Sequence, residues 1–267
     1  MIPIGDSPRS RTTPWVTYAF IAANVLVWLY TLSLSDAVPA SPLEARRQFN
    51  EQTTGVCYGF ETRPSDRDRF YCERSFQPQE FFDVVAGDPI FPGVNETQAL
   101  LSILTSIFMH AGWLHIIGNL LFLWVFGDNV EDRLGHIGYA LFYVAGGVFA
   151  ALCQGVADPD AVIPNVGASG AVAAVLGSYL VLFPRATVNV VIPIFILIFI
   201  PIPIPAALMI GIWFLQNLLA GVASVSETSA GGGVAFFAHI GGFAFGFLLT
   251  LLVLRPFLRR PPRYALD

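Results

Sequence analysis

Long apolar blocks recur along this 267-residue chain and constrain its fold more than any other feature. Hydrophobic residues make up 55% of the chain and charged residues only 12%, whereas soluble domains carry about 25% charged residues. A helix needs about 20 apolar residues to cross a bilayer. The sequence therefore predicts an all-α membrane protein, a bundle of six transmembrane helices. The predicted spans are 15–34, 113–127, 137–156, 169–183, 205–222 and 237–254.

The spans divide the chain into an N-terminal tail of residues 1–14, a membrane domain of residues 15–254 and a C-terminal tail of residues 255–267. A polar, proline-bearing loop of residues 35–97 follows the first span, and we expect it to contain some helix. Prolines interrupt the apolar run after the fourth span. Because proline lacks an amide donor and favours extended neighbours, residues 188–203 are predicted to be extended or interfacial.

Six spans place both termini on one side of the membrane. All the basic side chains are Arg, and those that flank the spans on this side make it cytoplasmic by the positive-inside tendency. Loop 35–97 is then extracytoplasmic, and the plasma membrane is the expected location. The net charge of −5 says little about partners because its sign varies along the chain, but no basic groove pattern is present, so we expect no nucleic acid partner.

The three cysteines do not form a scaffold pattern. Cys57 and Cys72 lie in loop 35–97, and Cys153 lies in an apolar span. The two loop cysteines pair if the loop faces an oxidising compartment, or they stay as thiols, and both interpretations remain open here. No zinc-ligand motif is present, so we expect no metal and no cofactor.

Polar side chains inside apolar spans are costly in lipid and are candidates for function. The predicted topology places His115 and Asn119, Ser169, and His239 at similar depth, each near the outer start of its own span. His115 and Asn119 are four residues apart and share one helix face. His110 precedes them and needs an explanation as well.

Glycines follow the serine and the distant histidine at helical spacing: Gly177 lies two turns after Ser169, and Gly242 and Gly246 follow His239. Small residues let membrane helices approach closely, so these two spans are predicted to pack with Ser169 and His239 at the top of the contact. Such stripes are common in membrane bundles, where a lone serine is usually a packing residue. The agreement in depth favours chemistry.

A serine hydroxyl becomes nucleophilic when a base accepts its proton, and histidine is suited to that task. Acyl transfer also needs hydrogen-bond donors for the oxyanion. His115, Asn119 and the backbone amide of Ser169 can supply them. No Asp or Glu lies in the apolar parts of these three spans. The residues therefore predict a Ser169–His239 dyad.

Four segments resemble motifs of the rhomboid family of intramembrane serine proteases. The segment GASG (Gly167–Gly170) matches the G-x-S-G nucleophile motif, and AHIGGFAFG (Ala238–Gly246) matches the A-H-x-x-G-x-x-x-G motif. The segment HAGWLHIIGN (His110–Asn119) matches the second-helix segment of the family, and EDRLG (Glu131–Gly135) resembles its short acidic motif. The resemblance covers residues 15–254.

The resemblance implies that Ser169 is the nucleophile, that His239 is the general base and acid, and that His115 and Asn119 are oxyanion donors beside the Ser169 amide. It gives His110 a structural role, in a bond to loop backbone. The other structural positions that it implies are Gly167, Gly170, Gly242 and Gly246. The implied substrates are transmembrane segments of other proteins within the lipid bilayer.

The chain departs from the family pattern at Ala173, where many members carry an aromatic residue that stacks on the catalytic histidine. It also lacks the Trp-Arg pair of their first loop. A catalytically inactive rhomboid-like protein that binds client transmembrane helices is one alternative, although the serine and the histidine are both present. A multi-span transporter is a weaker alternative, because the sequence shows no inverted repeat.

Overall fold

The computed structural model describes residues 2–36, 65–87, 96–195, 198–224 and 235–256, and this part of the chain is mostly helical. Its helices are α1 (Trp15–Ser33), α2 (Asp66–Arg74), α3 (Pro78–Ala86), α4 (Glu96–Thr105), α5 (Trp113–Leu134), α6 (His136–Ala157), α7 (Ser169–Leu182), α8 (Ala206–Ser224) and α9 (Phe236–Leu249). A 3₁₀ turn (Ser106–Phe108) follows α4, and a π-helical turn (Thr250–Leu254) extends α9. The strands are β1 (Ile2–Asp6), β2 (Thr187–Phe195) and β3 (Ile198–Pro205).

In the described part of the chain, five helices are long and apolar enough to cross a bilayer: α1, α5, α6, α8, and α9 with its π-helical turn. Helix α7 is also apolar but has only 14 residues. At about 1.5 Å per residue it is roughly 21 Å long, against a hydrocarbon core of about 30 Å. These helices confirm an integral membrane protein that fits the expected helical class.

Helix α7 lies at the centre of the bundle, and α6 and α9 pack against it. Nearly all its residues are buried. A Cβ atom on Gly242 would overlap the carbonyl oxygen of Gly170, and one on Gly246 would overlap that of Ala174. The predicted contact between the two small-residue stripes is therefore present, with the two helix backbones directly against each other.

The predicted end of the second span at residue 127 is wrong, because α5 continues to Leu134. In its polar last turns, Glu131 and Asp132 accept hydrogen bonds from residues near the N-terminus. The Glu131 carboxylate accepts hydrogen bonds from the amides of Val16 and Thr17 at 2.9 and 2.8 Å. The helix ends at Gly135, whose φ of +73° turns the chain out of the helix while its amide donates to the Glu131 carbonyl.

The described residues of segment 188–203 are extended, as predicted, but they also form a sheet. Strands β2 and β3 pair as an antiparallel hairpin, and β1 adds to β2 in the order β1–β2–β3. The fold is thus mostly helical with one small sheet that the all-α prediction did not include, and residues 2–6 of the predicted N-terminal tail form one of its strands. Pro201, Pro203 and Pro205 alternate along β3, an edge strand, where proline is tolerated.

Helices α2 and α3 lie within loop 35–97, which agrees with the helix expected there. Cys72 on α2 is disulfide-bonded, Cys153 is free, and Cys57 lies outside the described residues. The hydroxyl of Tyr71, also on α2, donates a hydrogen bond to the backbone carbonyl of His110. The loop is thereby tied to the segment that precedes α5.

Candidate functional site

Ser169 and His239 meet where α7 and α9 begin. Ser169 is the first residue of α7, and His239 lies in the first turn of α9. The serine Oγ is 2.7 Å from the imidazole Nε2. Both residues are half-buried. The close backbone contact between α7 and α9 thus brings the serine hydroxyl next to the imidazole nitrogen, and both side chains remain partly exposed.

The other ring nitrogen of His239 also has a partner. Its Nδ1 is 2.5 Å from Oδ1 of Asn217, a buried residue of α8. The Asn217 Nδ2 donates to the Trp213 carbonyl at 2.8 Å, and the Trp213 and His239 rings are 5.6 Å apart. The sequence motifs identify neither α8 residue. The available signal was an asparagine inside an apolar span, which is costly unless it is used.

Gly167 leaves room for the His115 imidazole near the serine. A Cβ atom at Gly167 would lie 2.6 Å from the His115 Nε2 and 3.6 Å from the Ser169 Oγ. The φ angle of Gly167 is +129°, in the region that favours glycine. Glycine therefore serves here both to turn the chain into α7 and to leave room for the imidazole next to Ser169.

His110 is fully buried and contacts Asn119 directly. The Asn119 Nδ2 lies 3.0 Å from the His110 Nε2, and the His110 ring packs edge-on against the His115 ring at 5.1 Å. The resemblance implies a bond from His110 to loop backbone, whereas the observed contact runs from the Tyr71 hydroxyl to the His110 backbone carbonyl and does not involve the imidazole. One N–H of the Asn119 amide is engaged by His110, which leaves the other for a further acceptor.

A small cleft opens beside Ser169, and its lining includes Gly167, Asn165, Ser106 and Ala238. The Ser169 amide is at the start of a helix, where backbone N–H groups have no intrahelical acceptor. The arrangement thus combines a hydroxyl, a ring nitrogen that can accept its proton, and free N–H donors. Within the described ranges, no three His, Cys, Asp or Glu side chains are placed to hold a metal ion.

Comparison with known proteins relates the sequence of this chain to one family. A family model described as the Rhomboid domain matches residues 97–256, more than half of the chain. That range contains every candidate site residue.

Relatives with rhomboid names come from several kinds of organism. Rhomboid protein 1, mitochondrial, of Saccharomyces cerevisiae is 34% identical over 157 residues, which are 55% of this chain and 40% of that protein. RHOMBOID-like protein 4 of Arabidopsis thaliana is 29% identical over 252 residues, 91% of this chain and 54% of the relative. Rhomboid protease GluP of Bacillus subtilis is 37% identical over 78 residues, 29% and 15% respectively. The chain covers well under two thirds of each relative.

Proposed function

Because the chain belongs to the rhomboid family, we propose that it is an intramembrane serine endopeptidase that cleaves transmembrane segments of other membrane proteins. The observation that carries the proposal is the 2.7 Å separation between the Ser169 Oγ and the His239 Nε2. A histidine at this distance can remove the hydroxyl proton as the serine attacks. Ser169 is the nucleophile, and His239 is the general base and acid.

The reaction proceeds in two halves. The Ser169 Oγ attacks the scissile carbonyl carbon while His239 takes the hydroxyl proton. The imidazolium then gives that proton to the leaving amine, so the peptide bond breaks and an acyl ester remains on the serine. Water attacks the ester carbon while His239 takes a proton from it. The imidazolium then returns this proton to the Ser169 Oγ as the ester C–O bond breaks, so the carboxyl product leaves and the serine is restored.

Three donors stabilise the oxyanion in this proposal: the Ser169 amide, His115 and Asn119. The position of the His115 Nε2 beside Gly167 and Ser169 supports its part. The N–H that Asn119 retains after its contact with His110 supports the third donor. Each donor that faces the developing charge is worth about 3–4 kcal/mol in known acyl-transfer sites.

The short helix α7 explains how water reaches the reaction. A helix of roughly 21 Å that reaches one face of a bilayer core of about 30 Å starts below the other face. In this proposal α7 is the fourth of six membrane crossings, and it joins the five longer helices to make that number. Both tails are cytoplasmic. Loop 35–97 and the Ser169 end of α7 face the opposite side of the plasma membrane. Polar groups at this depth are tolerated because they line water.

Cleavage and probe labelling test the proposal. Purified protein in detergent is incubated with a single-span model substrate and, separately, with a fluorophosphonate probe that labels activated serines. We expect wild type to cleave and to label, and Ser169→Ala to do neither. His239→Ala is expected to lose at least about 10³-fold in kcat, because the base is gone.

Ser178→Ala is the matched control, since Ser178 lies on the same helix and its hydroxyl accepts from Thr250 rather than facing the site. It should cleave and label like wild type. Labelling that persists in Ser169→Ala would refute the assigned nucleophile. A wild type that binds substrate helices but neither cleaves nor labels would instead identify an inactive, client-binding member of the family.

A further inference from the structure

We infer that Asn217 is a positioning residue for His239, so that the reacting groups form a chain Ser169–His239–Asn217 rather than a dyad. This inference rests on the proposed protease function. The Asn217 Oδ1 lies 2.5 Å from the His239 Nδ1, on the side of the ring opposite Ser169. Nothing in the sequence motifs places α8 in the site.

The surroundings of Asn217 fix which way its amide points. Its Nδ2 is 2.8 Å from the Trp213 carbonyl oxygen, one helical turn earlier. A carbonyl can only accept, so the NH₂ group must face Trp213 and the oxygen must face the imidazole. Asn217 is buried, so water does not compete for either contact.

The amide orientation in turn fixes the imidazole. Because Asn217 presents an oxygen, the Nδ1 of neutral His239 must carry the proton. The Nε2 lone pair then faces the Ser169 hydroxyl, which is the tautomer that general-base catalysis requires. When His239 takes the serine proton, the Asn217 oxygen still accepts from Nδ1 and stabilises the imidazolium. Because Asn217 is neutral, it does so without adding a charged side chain to the membrane.

Trp213 adds a second restraint from the same helix turn. Its ring lies 5.6 Å from the imidazole with a 37° tilt between planes. Ala173, by contrast, offers only a methyl group and is fully buried. The imidazole is thus held from α8 through a hydrogen bond and an aromatic face.

Kinetics of Asn217 variants test the inference. In Asn217→Leu the acceptor is lost, so the ring can rotate and adopt the other tautomer. We expect kcat to fall about 10–100-fold with KM nearly unchanged, as for other small misplacements of a catalytic group. Asn217→Asp keeps an oxygen at Nδ1 and should recover most of the rate. Its carboxylate should also move the acid limb of the kcat/KM pH profile to higher pH by about one unit.

Gln216→Leu is the control, because it makes the same amide-to-leucine change at the neighbouring, exposed position of α8. It should match wild type in kcat. A kcat of Asn217→Leu within about twofold of wild type, or a loss confined to KM, overturns the inference. If Asn217→Leu fails to fold, the kcat/KM pH profile of Asn217→Asp tests the inference instead. An acid limb at the same pH as in wild type overturns the positioning role of Asn217.

A spectroscopic readout separates this inference from the protease proposal. The chain has only four histidines, so the ¹⁵N signals of His239 can be assigned by substitution. In Ser169→Ala, which cannot cleave, we expect His239 protonated at Nδ1, and a tautomer mixture once Asn217→Leu is added. An unaltered His239 spectrum in the double variant overturns the positioning role, whereas failure of wild type to cleave overturns the protease function alone.

Discussion

Single glycines set how closely the two helices that carry Ser169 and His239 approach. At Gly177, Gly242 and Gly246, an added methyl group would meet backbone atoms of the facing helix. Backbone cannot move aside as the end of a flexible side chain can. Each of these positions therefore controls the separation of α7 and α9, and with it the distance between the serine and the imidazole.

Gly246→Ala should lower both stability and activity. The new methyl group overlaps the Ala174 carbonyl, so the helices must separate, at a cost of about 1–3 kcal/mol. We expect a lower thermal unfolding midpoint in detergent and a reduced kcat. Gly211→Ala is the control, because a methyl group there meets nothing within 4 Å. Equal midpoints for both variants would show that the contact between α7 and α9 is not tight.

At the scale of the element, the start of α1 is stabilised by a residue more than a hundred positions away. The Glu131 carboxylate is fully buried and accepts four hydrogen bonds. One oxygen accepts from the Val16 amide and faces the His136 Nδ1 at 2.6 Å. The other accepts from the Thr17 amide and hydroxyl at 2.8 and 2.6 Å. A negative charge at a helix start also complements the helix dipole.

Glu131→Gln should destabilise the fold although it preserves shape. Both oxygens of Glu131 face donors, so the glutamine NH₂ meets a donor in either orientation. We expect a loss of about 2 kcal/mol in the free energy of unfolding. Asp132→Asn is the matched control, because its contacts with Arg11 and Thr12 all go to Oδ1, which an asparagine oxygen can replace. A control that loses as much stability as Glu131→Gln would contradict this explanation.

At the scale of the whole molecule, the N-terminal strand joins one end of the bundle through Asp6. This carboxylate accepts from the Tyr179 hydroxyl at 2.5 Å and from the Asn129 amide at 3.0 Å. Burial raises the pKa of Asp6 from 3.8 to about 7, and nearby Asp128 adds to the effect. Strand β1, helix α5 and helix α7 therefore meet at a group that holds a proton more tightly in the folded protein.

Stability should fall as the pH rises through this range. The unfolded chain releases the Asp6 proton near pH 3.8 and the folded protein near pH 7. Between these values the folded state binds more protons, so its advantage shrinks with increasing pH. Asp6→Asn keeps an acceptor and should flatten the dependence of the unfolding midpoint between pH 4 and about 7.

Asp160→Asn changes an exposed carboxylate and serves as the control for that series. It should leave the dependence on pH as in wild type. If the unfolding midpoint of Asp6→Asn depends on pH as in wild type, the explanation is contradicted. The dependence would then come from other carboxylates.

The elements that the sequence predicts well are those whose signal is local. Helices α1 and α6 lie within one or two residues of the predicted spans, because twenty consecutive apolar residues need no partner to be recognised. Ser169 and His239 were both in the predicted site, since their motifs are contiguous in sequence. Residues 2–6 carry no such signal, because their strand exists through pairing with β2, some 185 positions later.

Asn217 shows the same limit at the site itself. In the sequence it is one polar residue in an apolar helix, like the buried Asn24, whose Nδ2 donates to the Phe20 carbonyl of its own helix. Nothing local distinguishes the two. Only the packing of α8 against α9 brings one of them to the imidazole.

The amino-acid order by itself predicted an integral membrane protein and brought Ser169 and His239 together as candidate residues of one site. These follow from hydropathy and from short motifs, which are properties of neighbouring residues. Tertiary structure alone decided the strand at the N-terminus, the capping of α1 by Glu131 and the contact of Asn217 with His239. Each of these joins groups far apart in the chain, and the energy of such a contact exists only once the helices have packed.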